Sequence, residues 1–230
     1  FNRLPNGSGT FTQVYQNGFL PEIESKILDA SAAVGVNTQL FGFDTDLSTN
    51  LGTNSFNYDV NNTINATLGT NSPFSFDAGK VSFLQSTTNL DFSRKYDVLA
   101  GLNVAFGGEF RYENYQIKAG EEASYGLYDV NGNLVSGILP SNSPLIVTDF
   151  FGNKRGAGAQ GFSGFQPSDA KEKNRTSGAA YVDLELNATE KWLINGAARY
   201  ENYSDFGNTV TFKLASLLKL NDNINWRISG

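Results

Sequence analysis

The chain contains no cysteine, no histidine and no methionine. Without a thiolate or an imidazole there is no Cys nucleophile, no His base and no zinc site of the usual kind, so most hydrolase and metalloenzyme readings fall away and no cofactor is implied. Long apolar runs are missing too: none approaches the roughly 20 residues a helix needs to cross a bilayer. Nor is there a cationic run. The net charge of -6 argues against nucleic acid, whose binding rests on neutralising phosphate with Lys and Arg. The opening Phe1-Asn2-Arg3 shows no basic n-region or apolar h-region, so the expectation is a removed leader or an internal piece of a longer protein.

What is present points to strands. The 230 residues include 24 Gly, 18 Phe and 10 Tyr, with many Asn, Thr and Ser, a mixture that suits many strands joined by polar loops. Trp192, Ile194, Gly196, Ala198 and Tyr200 alternate with Leu193, Asn195, Ala197, Arg199 and Glu201, so one face is apolar and the other carries charge. Leu102, Val104, Phe106, Gly108, Phe110 and Tyr112 likewise oppose Asn103, Glu109, Arg111 and Glu113. The two segments share a pentapeptide, Arg111-Tyr112-Glu113-Asn114-Tyr115 and Arg199-Tyr200-Glu201-Asn202-Tyr203. Their offset is even, so each position keeps its face. The same period marks 29–40, 180–186, 210–219 and 224–228, more weakly 43–51, and least regularly 80–93, for about eight strands.

The connections separate a membrane barrel from a soluble sandwich. Tight links are expected near Phe41-Gly42, at Asn187 to Glu190 and at Asn221-Asp222-Asn223, with a short one at 95–101. Long polar stretches lie between them at 60–79 and 119–174, and Ser204 to Asn208 is the exception. Alternation of short and long connections is the pattern of short periplasmic turns and long outer loops. Within the second excursion, Asn131-Gly132 between Leu127-Tyr128 and Leu134-Val135 predicts a type I′ hairpin. The fold expected is all-β, an antiparallel transmembrane β-barrel.

Several stretches carry a family resemblance. Gly18 to Ile23, Val60 to Asn65, Phe76 to Gly79, Val104 to Arg111 followed by Ala119-Gly120-Glu121, Gly158 to Phe165, and Arg199 to Gly207 are, in that order, similar to the barrel of TonB-dependent outer-membrane receptors. The resemblance covers nearly the whole chain. It implies a plugged barrel of about twenty-two strands energised from the inner membrane. No plug, energy-coupling box or C-terminal aromatic strand is visible here, so residues 1–230 are expected to supply part of such a barrel. The implied partners are a nutrient ligand of unknown class, outer-membrane lipid, and the inner-membrane TonB complex through the missing plug.

Two groups of candidate residues follow. Glu109, Arg111, Glu113, Arg199 and Glu201 share polar faces that would project into the lumen, where they contact a plug or charged ligand or, more simply, form a ladder of cross-strand ion pairs. Lys154, Arg155, Phe162 and Phe165 lie in a glycine-rich loop, Gly152 to Phe165, that reads either as a flexible ligand-gripping lid or as a mobile outer loop. Tyr112, Tyr200 and Trp192 suit the aromatic girdle. Active nutrient import in the outer membrane leads. A passive porin or small closed barrel, and a soluble carbohydrate-binding β-sandwich, are the alternatives, and no enzyme is expected. Phe106, Phe110, Ile194 and Phe212 are expected to face lipid, and 121–174 to be dispensable for barrel folding.

Overall fold

Alternating side chains make a pleated ribbon with two chemically distinct faces, and such ribbons are stable only when their backbone groups pair with neighbours. A computed structural model, which describes every residue except Phe1, Asn6 and Asp222, contains eight strands. They are β1 (Glu22–Leu40), β2 (Phe43–Asn61), β3 (Ser75–Tyr96), β4 (Leu102–Lys118), β5 (Lys171–Thr189), β6 (Trp192–Tyr203), β7 (Gly207–Asn221) and β8 (Ile224–Ser229). All belong to one sheet in chain order, with β1 and β8 as its edges. The sheet is not closed on itself among the described residues.

Several expectations change in detail. The segment 80–93, the least regular in sequence, lies inside β3, which at 22 residues is the longest strand. The strands also run further than their apolar stripes, so the long connections shrink from 60–79 to 62–74 and from 119–174 to 119–170. The turn expected at Asn221-Asp222-Asn223 includes Asp222, which lies outside the described residues. Phe41 and Gly42 both adopt positive φ, 53° and 81°, which makes the β1–β2 link a two-residue turn of the primed kind.

The hairpin at Asn131-Gly132 forms, but not as type I′. Only Gly132 has positive φ (79°), and its N–H donates to the Asp129 carbonyl (2.9 Å), so a type I turn is followed by one left-handed residue. Asp129 Oδ1 accepts the N–H groups of Asn131 (2.8 Å) and Asn133 (2.9 Å). The same device recurs unannounced at Asp149-Phe150-Phe151-Gly152-Asn153, where Gly152 has φ 82° and Asp149 Oδ1 accepts from Phe151 (2.9 Å) and Asn153 (2.8 Å). Backbone donation from Asn133 holds the Asp129 carboxyl below its ordinary range. At Asp149 partial desolvation opposes the shift, but the side-chain and backbone donors of Asn153 outweigh it, and its pKa is also lowered. A depressed carboxylate stabilises its fold above the unfolded pKa, so both turns loosen as pH falls through the native values.

Two compact units divide the chain. The first comprises 1–29, 53–83 and 115–173, and its centre is dry: Val60, Ile64, Ala66, Phe76 and Ala78 are almost fully buried, with Ala159 beside them. Asn65 is buried among them with its amide satisfied. Its Nδ2 donates to the carbonyls of Ala123 (3.0 Å) and Gly126 (2.8 Å), and its Oδ1 accepts from the N–H (3.1 Å) and hydroxyl (2.6 Å) of Thr67. Gly164 rests directly on Ser124, where any Cβ would strike the hydroxyl. The second half of the glycine-rich stretch is therefore hydrogen-bonded into this unit. That narrows the dispensable part of 121–174: residues 158–165 bond to the backbone of Ile64, Ala78, Gly120 and Ser124, and Lys171 to Asn174 are already β5.

The second unit comprises 30–52, 84–114 and 174–230. Here the apolar face is uncovered: Val34, Phe110, Val182, Leu184, Val210, Phe212, Leu214, Trp226 and Ile228 are all exposed. Phe212 stands opposite Ala198, and Ala198 opposite Val182, so one apolar row crosses three strands in register.

Candidate functional site: a charged sheet face and a loop cavity

On the opposite face of the second unit the two pentapeptides meet. Glu109 Oε1 accepts from Arg111 Nη2 on its own strand (2.8 Å) and from Arg199 Nη2 of β6 (3.2 Å), and Arg199 Nε donates to Glu201 Oε1 (2.7 Å). The Tyr203 hydroxyl donates to Glu201 (2.9 Å). Glu113 is held by Arg175 Nε (2.6 Å), and the Arg175 guanidinium also lies over the rings of Tyr203 and Phe206. All five candidates on the matched strands therefore belong to ion-paired chains.

Sequence reasoning missed two members. Arg175 lies in the first third of β5, upstream of its apolar alternation, where no periodic signal marked it. Tyr181, opposite Arg199, donates to Asp91 (2.7 Å). Gly107 makes room for it, since a Cβ there would meet the Asp91 carboxylate and lie 2.8 Å from the Tyr181 ring. Beside this crossing Asn37, Gln39, Asp44, Asp46, Asp91 and Tyr181, with Phe92 and Ala105, line an open cavity of about 500 Å³.

Glu109 carries two arginines on one oxygen, with a side chain only 16% exposed, while Arg111 Nε is buried without a partner. A double-mutant cycle with Glu109→Gln and Arg199→Gln should return a coupling of about 1 kcal/mol, at the upper end for exposed pairs because these are half-buried. Urea unfolding in lipid or detergent checks it. Additive effects would mean that water screens the pair.

The loop candidates separate. Arg155 is spent on architecture: it lies over the Phe11 ring (4.9 Å) and donates to the carbonyls of Thr10 (2.5 Å), Thr148 (3.2 Å) and Ser8 (3.3 Å). Burial lowers its pKa, partly offset by Asp149. Phe162 and Phe165 pack edge to face (5.9 Å) and both meet the Tyr58 ring. Lys154 stays exposed on the wall of a cavity of about 300 Å³ formed with Leu127, Tyr128, Ile138, Ile146 and Val147. Tyr128 donates to Glu122 (3.0 Å), and burial together with that carboxylate pushes its pKa up to about 12, so it remains a neutral donor. Among the described residues no group of His, Cys, Asp or Glu is arranged to hold a metal.

Comparison with known proteins agrees with this geometry. The family described as TonB dependent receptor-like, beta-barrel matches residues 2–229. No curated protein matches. Among solved structures, the siderophore receptor PiuA from Acinetobacter baumannii shares the fold with a TM-score of 0.53 at 14% identity, over 89% of this chain and 32% of the receptor. The chain thus spans about a third of that receptor's length. With a single antiparallel sheet, one bare apolar face and a family match over almost every residue, the chain belongs to the TonB-dependent receptor β-barrel family, a family of outer-membrane receptors.

Proposed function

We propose that this chain forms barrel wall and outer loops of an active transporter that takes up a scarce nutrient across the bacterial outer membrane, with long connections outside and short turns in the periplasm. The observation that carries the reading is the division of the sheet into an uncovered apolar face and an ion-paired face, which suits lipid on one side and a wet lumen on the other. A soluble sandwich would cover the apolar rows with a second sheet. A small closed barrel would pair β1 with β8, whereas these strands are the sheet's edges.

The ligand would be held partly by the loop cavity, where apolar walls and the cations of Lys154 and Arg155 fit a molecule with an aromatic or aliphatic body and an anionic group. PiuA is a siderophore receptor, and that adds weight to an iron chelate. In this reading a plug fills the lumen and the inner-membrane TonB complex supplies the energy. Uptake of labelled ferric chelates, cobalamin and oligosaccharides should be compared in cells with and without the gene, each with and without a protonophore. Gene-dependent uptake that stops with the protonophore is expected. Uptake that survives it would mark a passive pore.

A further inference from the structure

At the short-turn margin of the second unit one arginine differs from all its neighbours. Arg111, Arg175 and Arg199 lie on the charged face and each holds a carboxylate. Arg94, two residues before the end of β3, lies on the apolar face. Its guanidinium carbon sits 5.8 Å from the centroid of Phe43 and 5.0 Å from that of Tyr96. Among the described residues no carboxylate forms an ion pair with it. Gly42 supplies the space, since a Cβ at that position would come within 2.9 Å of Nη1.

The rings beside it form a shelf. Phe43 meets Phe106 edge to face (5.3 Å) and Phe106 stacks on Phe92 (5.1 Å). Phe106 belongs to the same alternation as Phe110, on the side of β4 away from Glu109 and Arg111, so the shelf lies on the bare apolar face. A planar cation at the strand margin, oriented by aromatic rings and lacking an internal counter-charge, stands above an apolar wall. That is the arrangement a lipid requires, with phosphate at the cation and acyl chain along the rings.

We propose that Arg94, Phe43 and Tyr96 bind the phosphodiester of an anionic glycerophospholipid in the periplasmic leaflet, with one acyl chain lying on Phe43, Phe92 and Phe106. The assignment rests on the reading of the apolar face as lipid-facing and of the short turns as periplasmic. The guanidinium fork donates to two phosphate oxygens in a layer where water is scarce. A headgroup without its own cation is favoured, because phosphatidylethanolamine carries an ammonium that already neutralises its phosphate.

The intact receptor in phosphatidylethanolamine nanodiscs doped with phosphatidylglycerol provides the test, with bound lipid counted by native mass spectrometry after mild detergent release. Wild type should retain phosphatidylglycerol, and Arg94→Gln should lower its apparent affinity on the order of tenfold. Arg94→Lys, which keeps the charge but not the fork, should fall between them. Phe43→Leu, which removes a ring but no charge, guards against a folding defect in the arginine variants and should also weaken retention. Equal retention by wild type and Arg94→Gln, each with the same heat-modifiable migration, overturns the proposal. Displacement of the lipid by millimolar inorganic phosphate also overturns it, because the site would then answer to free phosphate. The readout needs no transport, so a failure of nutrient uptake in cells leaves it standing.

Discussion

Replacing Phe212 with Arg should destabilise the folded barrel by about 2 to 4 kcal/mol. Phe212 is 77% exposed in the middle of β7 and stands opposite Ala198, near the centre of the 12-residue β6. If this face meets hydrocarbon, a guanidinium there must be dehydrated or must drag water and headgroups inward. At the strand margin the same substitution would cost little, because the long side chain reaches water. Phe212→Arg, central, and Trp226→Arg, level with Leu218 and with Trp192 at the start of β6, should therefore differ severalfold in reversible unfolding in lipid vesicles. Equal, small costs would show that water covers the face.

Truncating Phe76 to Ala should cost the first unit about 3 to 5 kcal/mol, the range for removing a buried aromatic ring and leaving its cavity. Phe76 is 1% exposed and packs in a cluster with Val60, Ala78 and Ala159. Its loss should loosen the loop residues held around it. Limited proteolysis of intact cells should then cut within 119–170 many times faster than in wild type. Deleting the hairpin tip 149–153 should leave the core of that unit intact, since Phe150 and Phe151 are exposed and bury nothing. Unchanged protease resistance in Phe76→Ala would mean that the loop is held by its hydrogen bonds alone.

The period of two carried most of the fold. Phe106, Phe110 and Phe212 stand exposed on the apolar face, and Ile194, half-buried, lies in the same row between Leu186 and Ser216. Glu109, Arg111, Arg199 and Glu201 converge because the repeated pentapeptide kept its phase. Where the sequence fell short, the cause was separation along the chain. Arg155 gives no sign that its partners are Phe11 and Thr10, nor Phe162 that it meets Tyr58, because these contacts close across long stretches. The second hairpin escaped notice because Phe150-Phe151-Gly152 lacks the Asn-Gly pair that marked the first. That pair in turn misled about turn type, since Gly at the left-handed position serves a type I turn with a bulge as well as a primed one.

Strands that pair only with their chain neighbours have a kinetic consequence. The β1–β2 turn closes over two residues and the β5–β6 turn is equally short, so each of these hairpins can zip without a long search. Pairing β4 with β5 must instead close the excursion 119–170, which by chain-entropy scaling costs about 3 kcal/mol more than a two-residue link. The twin Asp-capped hairpins shorten that search. By folding locally, with backbone bonds from Val135 to Leu127 and from Arg155 to Val147, they reduce the span of free chain before β5 arrives. Their tight carboxylate-capped turns should therefore matter more to the rate of barrel assembly than to its final stability. Weakening Asp129 or Asp149 should slow the appearance of the β4–β5 ladder while leaving the completed sheet almost as resistant to urea as before.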